Sequence, residues 1–162
     1  DLPFDHWKSV VDINLTGVFL CTQQAVALMK QQTPRGGRII NIASAHGLVA
    51  STQKVAYVAA KHGLVGLTKV VAMEAANDGV TCNAICPGWV LTPLVQQQID
   101  ARAKATGTST KEQAIELVAE KQPMHEFTKP ENIGALTVFL CSDAAETITG
   151  SAYSIDGGWV AQ

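Results

Sequence analysis

A serine, a tyrosine and a lysine near the middle of the chain are spaced so that they could share one proton transfer. Ser44 closes the run Gly37-Arg38-Ile39-Ile40-Asn41-Ile42-Ala43-Ser44, which reads as a strand, and Tyr57 follows it by thirteen residues. Residues 53–75 hold few helix breakers and carry apolar residues at mixed three- and four-residue intervals, the pattern of a helix largely buried against a sheet. On that helix Lys61 stands four positions after Tyr57, so phenol and ammonium share one face a turn apart. A free tyrosine titrates near pH ~10, and acting as a base at neutrality requires roughly 3 pKa units, or about 4 kcal/mol, of preferential stabilisation of the phenolate. A lysine charge about 5 Å away at an effective dielectric of ~20 supplies roughly 3 kcal/mol. Desolvation opposes it, so a further positive charge, such as an oxidised nicotinamide ring, has to complete the effect. On its own the short Tyr-x-x-x-Lys spacing more often marks a core tyrosine beside a snorkelling lysine; the neighbouring residues change that balance.

Those neighbours come from the elements on either side. Residues 1–31 read as one long helix, with Pro3 in its first turn and Asp5 near its positive end. Trp7, Val10, Val11, Leu15, Val18, Phe19, Ala25, Val26 and Met29 form a wide apolar stripe, so the helix is expected to be covered on more than one side. Asn14 lies in that stripe, where its amide needs a partner. A helix-to-helix hydrogen bond would serve as well as a catalytic role.

Asn14, Ser44, Tyr57 and Lys61, together with Asn-x-Ala-Ser at 41–44 and Asn-x-x-x-Pro-Gly at 83–88, resemble the Asn-Ser-Tyr-Lys tetrad of the short-chain dehydrogenase/reductase family. The resemblance extends over all 162 residues. It implies a nicotinamide cofactor, with Tyr57 and Lys61 at its ribose and Pro87, Gly88 and Thr92 beside its carboxamide. The runs around Ser44, Tyr57 and Pro87, with the closing Asp-Gly-Gly-Trp, are similar to family members that interconvert (R)-3-hydroxybutyrate and acetoacetate with NAD. By that resemblance His46, Lys54 and Gln98 hold the substrate carboxylate, while Trp89 and Trp159 wall its methyl end. A cation with neutral donors suits one carboxylate. Taken singly, His46 also reads as a loop hydrogen-bonder, Lys54 as a solvated lysine, the two tryptophans as core, and only one of Gln96, Gln97 and Gln98 need point inward. His6, His62 and His125 read as structural. Other family chemistry, on a 3-oxoacyl thioester or a sugar, and a non-catalytic remnant stay open as alternatives.

The remaining elements suit this reading. Asn77-Asp78-Gly79 marks a turn and Val80 to Cys86 a second apolar strand, so strand, helix and strand argue for a parallel α/β sheet with a right-handed crossover. Ligands bind such sheets beyond the carboxyl ends of the strands, where Ser44 and Pro87-Gly88 fall. Helical stretches at 93–105 and 109–121 form a candidate lid over roughly 89–122. Thr128-x-x-Glu131 has the pattern of a capping box for a helix at 129–142, whose Ile133, Leu136, Val138, Phe139 and Leu140 look core-facing. Gly150 to Asp156 closes the chain as a last strand. The family's glycine-rich dinucleotide turn is absent before Asn14, which places the loss near ~90 residues. The expected fold is therefore the carboxyl-terminal part of a doubly wound, Rossmann-like domain, a single partial domain over 1–162.

Composition narrows the classes further. With 47% hydrophobic residues the chain can build a core without disulfides, and 12 basic against 14 acidic residues leave a net charge of −2 with no basic cluster for nucleic acid. No uninterrupted apolar run reaches bilayer length, so no membrane is expected, and a cytoplasmic location follows. Cys82 and Cys86 read as buried thiols and not as metal ligands. By the family resemblance a homotetramer through the helices at 1–31 and 53–75 is expected.

Overall fold

A computed structural model describes residues 2–161. Pro3 keeps an extended backbone and precedes helix α1, Phe4–Val11, so the proline caps the helix from outside its first turn. The helix axis continues through a π turn, Asp12–Thr16, into α2, Gly17–Gln31. Asn14 sits in the π turn and its Nδ2 donates to the carbonyl of Val10 at 3.0 Å. A single uninterrupted helix over 1–31 is thus corrected to two helices joined by a wider turn, the kind of irregularity that re-aims side chains. Asp1 lies outside the described residues.

Strand β1, Gly37–Ile42, pairs in parallel with β2, Val80–Pro87, and β2 pairs in parallel with β3, Ala152–Ile155. Between β1 and β2 runs helix α3, Val55–Ala75. Side chains alternate across the strands. Ile39, Ala43, Cys82, Ala84 and Cys86 meet Leu64, Val65, Ala72 and Ala75 of α3, with Leu15, Val18, Val26 and Met29 of the first helices packed alongside. Helix α6, Pro130–Cys141, lies against β1 and β2 as well, so the parallel sheet is flanked by helices in the doubly wound manner. β2 is buried along its whole length, as the central strand of such a sheet must be.

Asn83 shows how a polar group survives in that strand. Its side chain is fully buried, with Nδ2 donating to Ile148 O at 2.7 Å and Oδ1 accepting from Ser151 N–H at 3.1 Å. The amide therefore stitches β2 to the loop that feeds β3. Asn83→Leu leaves a carbonyl and an N–H without partners in the interior and is expected to destabilise the fold by roughly 2–4 kcal/mol, read as a lowered denaturation midpoint. An unshifted midpoint would assign the stitching elsewhere.

Several expectations change. Ile133, Leu136 and Leu140 face the sheet, but Val138 is 71% and Phe139 44% exposed, because the helical period turns those two away from the stripe that seats α6. Thr128 does not cap α6: its Oγ1 donates to Ile155 O at 3.0 Å, and the side chain of Asn132 accepts from Lys129 N–H instead. Phe4, Ile13, Phe19, Leu20 and Leu28 are exposed, so the long helix is covered on one side only within the protomer. Two helical segments, Phe4–Gln31 and Val55–Asp78, are long and apolar enough to cross a membrane by length and composition, a correction to the expectation that no apolar stretch reaches that length, because polar residues interrupt both in sequence. The second is a core-packed helix of the sheet, a kind that meets the same criterion in globular folds. Cys82 and Cys86 are buried as expected, and burial pushes the Cys82 thiol up to about 11, which suits packing better than reactivity.

Candidate active site

The site is assembled where β1 and β2 end. After Ile42 the chain stays extended through Ser44, then tightens into a short turn, Ala45–Gly47, in which His46 N–H donates to Ser44 Oγ at 3.2 Å. A loop returns the chain to Lys54, which precedes α3, and places Tyr57 in the first turn and Lys61 in the second. The Ser44 hydroxyl stands near enough to the Tyr57 phenol to favour its ionised form. Lys61 is 9% exposed; its Nζ donates to Ile42 O at 3.1 Å and lies 5.5 Å from the centroid of the Tyr57 ring. Strand end, turn and helix start thus bring two hydroxyls and one ammonium together, as the spacing suggested.

Electrostatically the three are in tension. Burial pushes the Tyr57 phenol above the ordinary tyrosine value, with the neighbouring Ser44 hydroxyl opposing it. Burial also lowers the Lys61 ammonium below the ordinary lysine value. For the chain by itself, removal from water is the first cause acting on both groups, the opposition expected from the sequence. A base here requires a second positive charge nearby.

A cleft of about 1320 Å³ opens in front of these groups. Asn14, Ser44, His46, Lys54 and Tyr57 line it from the first helix, the β1 end and α3. Gly88, Trp89, Thr92, Gln98 and Trp159 line it from the other side. Of the expected residues, Lys61 and Pro87 do not reach the cleft surface: Lys61 stands behind the tyrosine, and Pro87 is buried as the last residue of β2. Trp89 and Trp159 stack with centroids 6.4 Å apart, and His46 meets Trp159 edge-on at 4.9 Å. His46 is held below the ordinary histidine value by burial first, then by the charges of Lys54, Lys121 and His62, so it presents a neutral ring at pH 7. Its Nε2 pairs with Ser51 Oγ at 3.0 Å. Gln98 is the one of the three consecutive glutamines that lines the cleft, while Gln96 binds Asp100.

Helices α4, Pro93–Thr106, and α5, Thr110–Ala119, occupy the stretch expected as a lid, and Val95, Ile99 and Leu117 pack them onto Trp89 and Phe127. Thr92 caps α4, accepting from Val95 N–H at 3.4 Å, which places its hydroxyl at the lid root. His6, which reads as structural from sequence, lines the cleft from α1, and Lys121 and the exposed loop residues Thr52 and Gln53 line it too. Gln122 has no signal in the sequence. Among the described residues no group of three His, Cys, Asp or Glu side chains could hold a metal ion.

The donors present suit the nicotinamide-ribose half of a dinucleotide. Lys61 uses one of its three N–H donors on Ile42, and the Tyr57 and Ser44 hydroxyls lie at the strand ends where such ligands bind. The family model described as enoyl-(acyl carrier protein) reductase matches residues 1–160. The chain belongs to the short-chain dehydrogenase/reductase family. Among curated family members it is 57% identical over its whole length to a D-beta-hydroxybutyrate dehydrogenase of Cupriavidus necator and 48% identical to one of Rhizobium meliloti. It spans 62% of the length of each. Two solved short-chain dehydrogenase/reductase structures superpose closely. An actinorhodin polyketide ketoreductase with NADPH gives a TM-score of 0.88 at 33% identity, covering 100% of this chain and 62% of that one. A 4-hydroxyisoleucine dehydrogenase complexed with NADH gives 0.86 at 34%, covering 99% and 62%.

Proposed function

We propose that the protein carrying this chain interconverts (R)-3-hydroxybutyrate and acetoacetate with NAD. The observation that carries the reading is the Ser44–Tyr57 pair on one cleft wall, backed by Lys61 Nζ 5.5 Å from the tyrosine ring and facing a cleft that Lys54, His46 and Gln98 also line. The bound nicotinamide supplies the hydride acceptor and the positive charge that the buried phenol lacks. Ser44 Oγ holds the substrate oxygen, and Tyr57 Oη takes the hydroxyl proton as the carbinol carbon is oxidised. Lys61 favours the phenolate and stands at the ribose, with Pro87, Gly88 and Thr92 beside the carboxamide. Asn14, in its π turn, supports the water that carries the proton outward. The Lys54 ammonium, the neutral His46 ring and the Gln98 amide receive the carboxylate, and the stacked Trp89 and Trp159 close on the methyl end.

Lys54 is the residue that separates this substrate from others. In the chain extended at its amino end to the length of its relatives, Lys54→Ala should raise KM for 3-hydroxybutyrate by about tenfold or more with kcat changed less, the pattern of a lost ground-state ion pair. An unchanged KM would refute the carboxylate assignment. A cleft of about 1320 Å³ exceeds what a four-carbon acid fills, which supports a second reading in which the substrate is a 3-oxoacyl thioester or a sugar; turnover of those in the same assay decides. Calorimetric titration of the chain with NAD, before and after that extension, tells a catalytic part from a remnant. The exposed apolar faces of α1, α2 and α3 support assembly with further copies, and a cytoplasmic location accords with the acid substrate and the free cysteines.

A further inference from the structure

Gln122 follows α5 and is 0% exposed, an unusual place for a residue this polar. Both ends of its amide are bonded: Oε1 accepts from the main-chain N–H of Trp89 at 2.5 Å, and Nε2 donates to Glu126 O at 2.6 Å. Two glycines make room for it. A Cβ on Gly88 would come within 2.3 Å of Gln122 Oε1, and one on Gly157, at φ +59°, within 2.9 Å of Nε2. Around this amide the two roots of the lid are tied together, since Thr128 N–H donates to Trp89 O at 2.9 Å. They are also tied to the end of β3, through Gly88 N–H to Ile155 O at 3.1 Å and Met124 N–H to Gly157 O at 3.1 Å. Trp89 and Trp159, the stacked pair of the cleft wall, hang from the two strand ends so joined.

We propose, building on the hydroxy-acid reading above, that Gln122 is a positioning residue that pins the lid and fixes the Trp89–Trp159 wall, and thereby sets how long a 3-hydroxy acid the cleft accepts. The amide touches no substrate. It acts through the Trp89 backbone: with the side-chain length of a glutamine it spans from the start of the lid at residue 89 to its end at residue 126, so the indole is delivered at one depth. A residue unable to bond at both ends lets the root move, and the wall recedes before the proton-transfer groups are disturbed, because Ser44, Tyr57 and Lys61 hang from other elements.

Gln122→Met preserves volume and removes both bonds; Gln122→Glu keeps the acceptor for Trp89 and is the second variant should the first fail to fold. In the chain extended to its relatives' length, the ratio of kcat/KM for the five-carbon over the four-carbon 3-hydroxy acid should rise about fivefold or more in Gln122→Met, mostly through KM, and less in Gln122→Glu. A Trp7→Phe background leaves Trp89 and Trp159 as reporters, and acrylamide quenching of their fluorescence should rise by about twofold in the absence of substrate. A parallel fall in both rates with an unchanged ratio and unchanged quenching would overturn the proposal, since simple loss of folded protein moves neither. Failure of the unsubstituted protein to oxidise either acid refutes the substrate reading instead, and the quenching measurement then decides the pin alone.

Discussion

Tyr57→Phe removes turnover and leaves the fold in place. The substitution deletes one oxygen and keeps the ring, so the edge-on contact with His46 at 5.9 Å and the position of Lys61 over the ring persist. What disappears is the phenol beside Ser44, which among the described residues is the one phenolic hydroxyl lining the cleft for proton exchange with a substrate alcohol. General acid–base groups contribute about 10²–10⁴ in rate, and a loss in kcat at the upper end of that range is expected, with KM little changed. Stability should stay within about 1 kcal/mol, since no buried donor loses its only partner. Steady-state oxidation of 3-hydroxybutyrate by the extended chain measures it; a near-normal rate would remove Tyr57 from the proton path.

Lys61→Met should be nearly as damaging at neutral pH, and for a reason that pH can expose. Oxidation needs the phenolate, so its rate climbs with pH until the phenol is ionised. Burial already holds Tyr57 above its ordinary value, and deleting an ammonium 5.5 Å from its ring takes away an attraction of at most roughly 3 kcal/mol at an effective dielectric of ~20. The phenol pKa then moves further up, the rising limb of the pH–rate profile moves to more alkaline pH, and the rate at pH 7 falls by about 10² or more. Raising the pH should recover part of the loss in this variant and in no Tyr57 variant. A rising limb that stays where it was would mean that Lys61 holds Ile42 O, and through it the strand end, without tuning the phenol.

How far the sequence could be read depended on whether a feature is local. Ser44 at a strand end and Tyr57 and Lys61 one turn apart are consequences of strand and helix periods, and the structure places them together. The parallel order of β1 and β2 followed from two apolar runs separated by a helix. Spacing gave the distance between Lys61 and Tyr57 but not how far each is withdrawn from water, and that withdrawal sets the direction of both shifts. Val138 and Phe139 looked like core because composition alone does not say how wide a stripe the neighbouring layer covers. Thr128 matched a capping pattern, but a carbonyl at residue 155, far along the chain, took its hydroxyl. Gln122 was invisible for the same reason: its partners at Trp89 and Glu126 give it meaning only after the lid has closed the loop between them.

The all-parallel sheet has a consequence for how the molecule comes to exist. Among the described residues no rung of the ladder joins neighbours along the chain: Gly37 meets Val80 and Ala84 meets Ala152, so each pairing must wait until the intervening helices have been laid down. The early entropy loss of closing such wide loops is recovered late, which makes acquisition of the native state slow compared with a hairpin-built protein of equal size. During that interval the eight residues of β2, all buried in the finished fold and most of them apolar, lie open to any other nascent polypeptide, so the yield of correctly formed protein should depend on dilution and on chaperones.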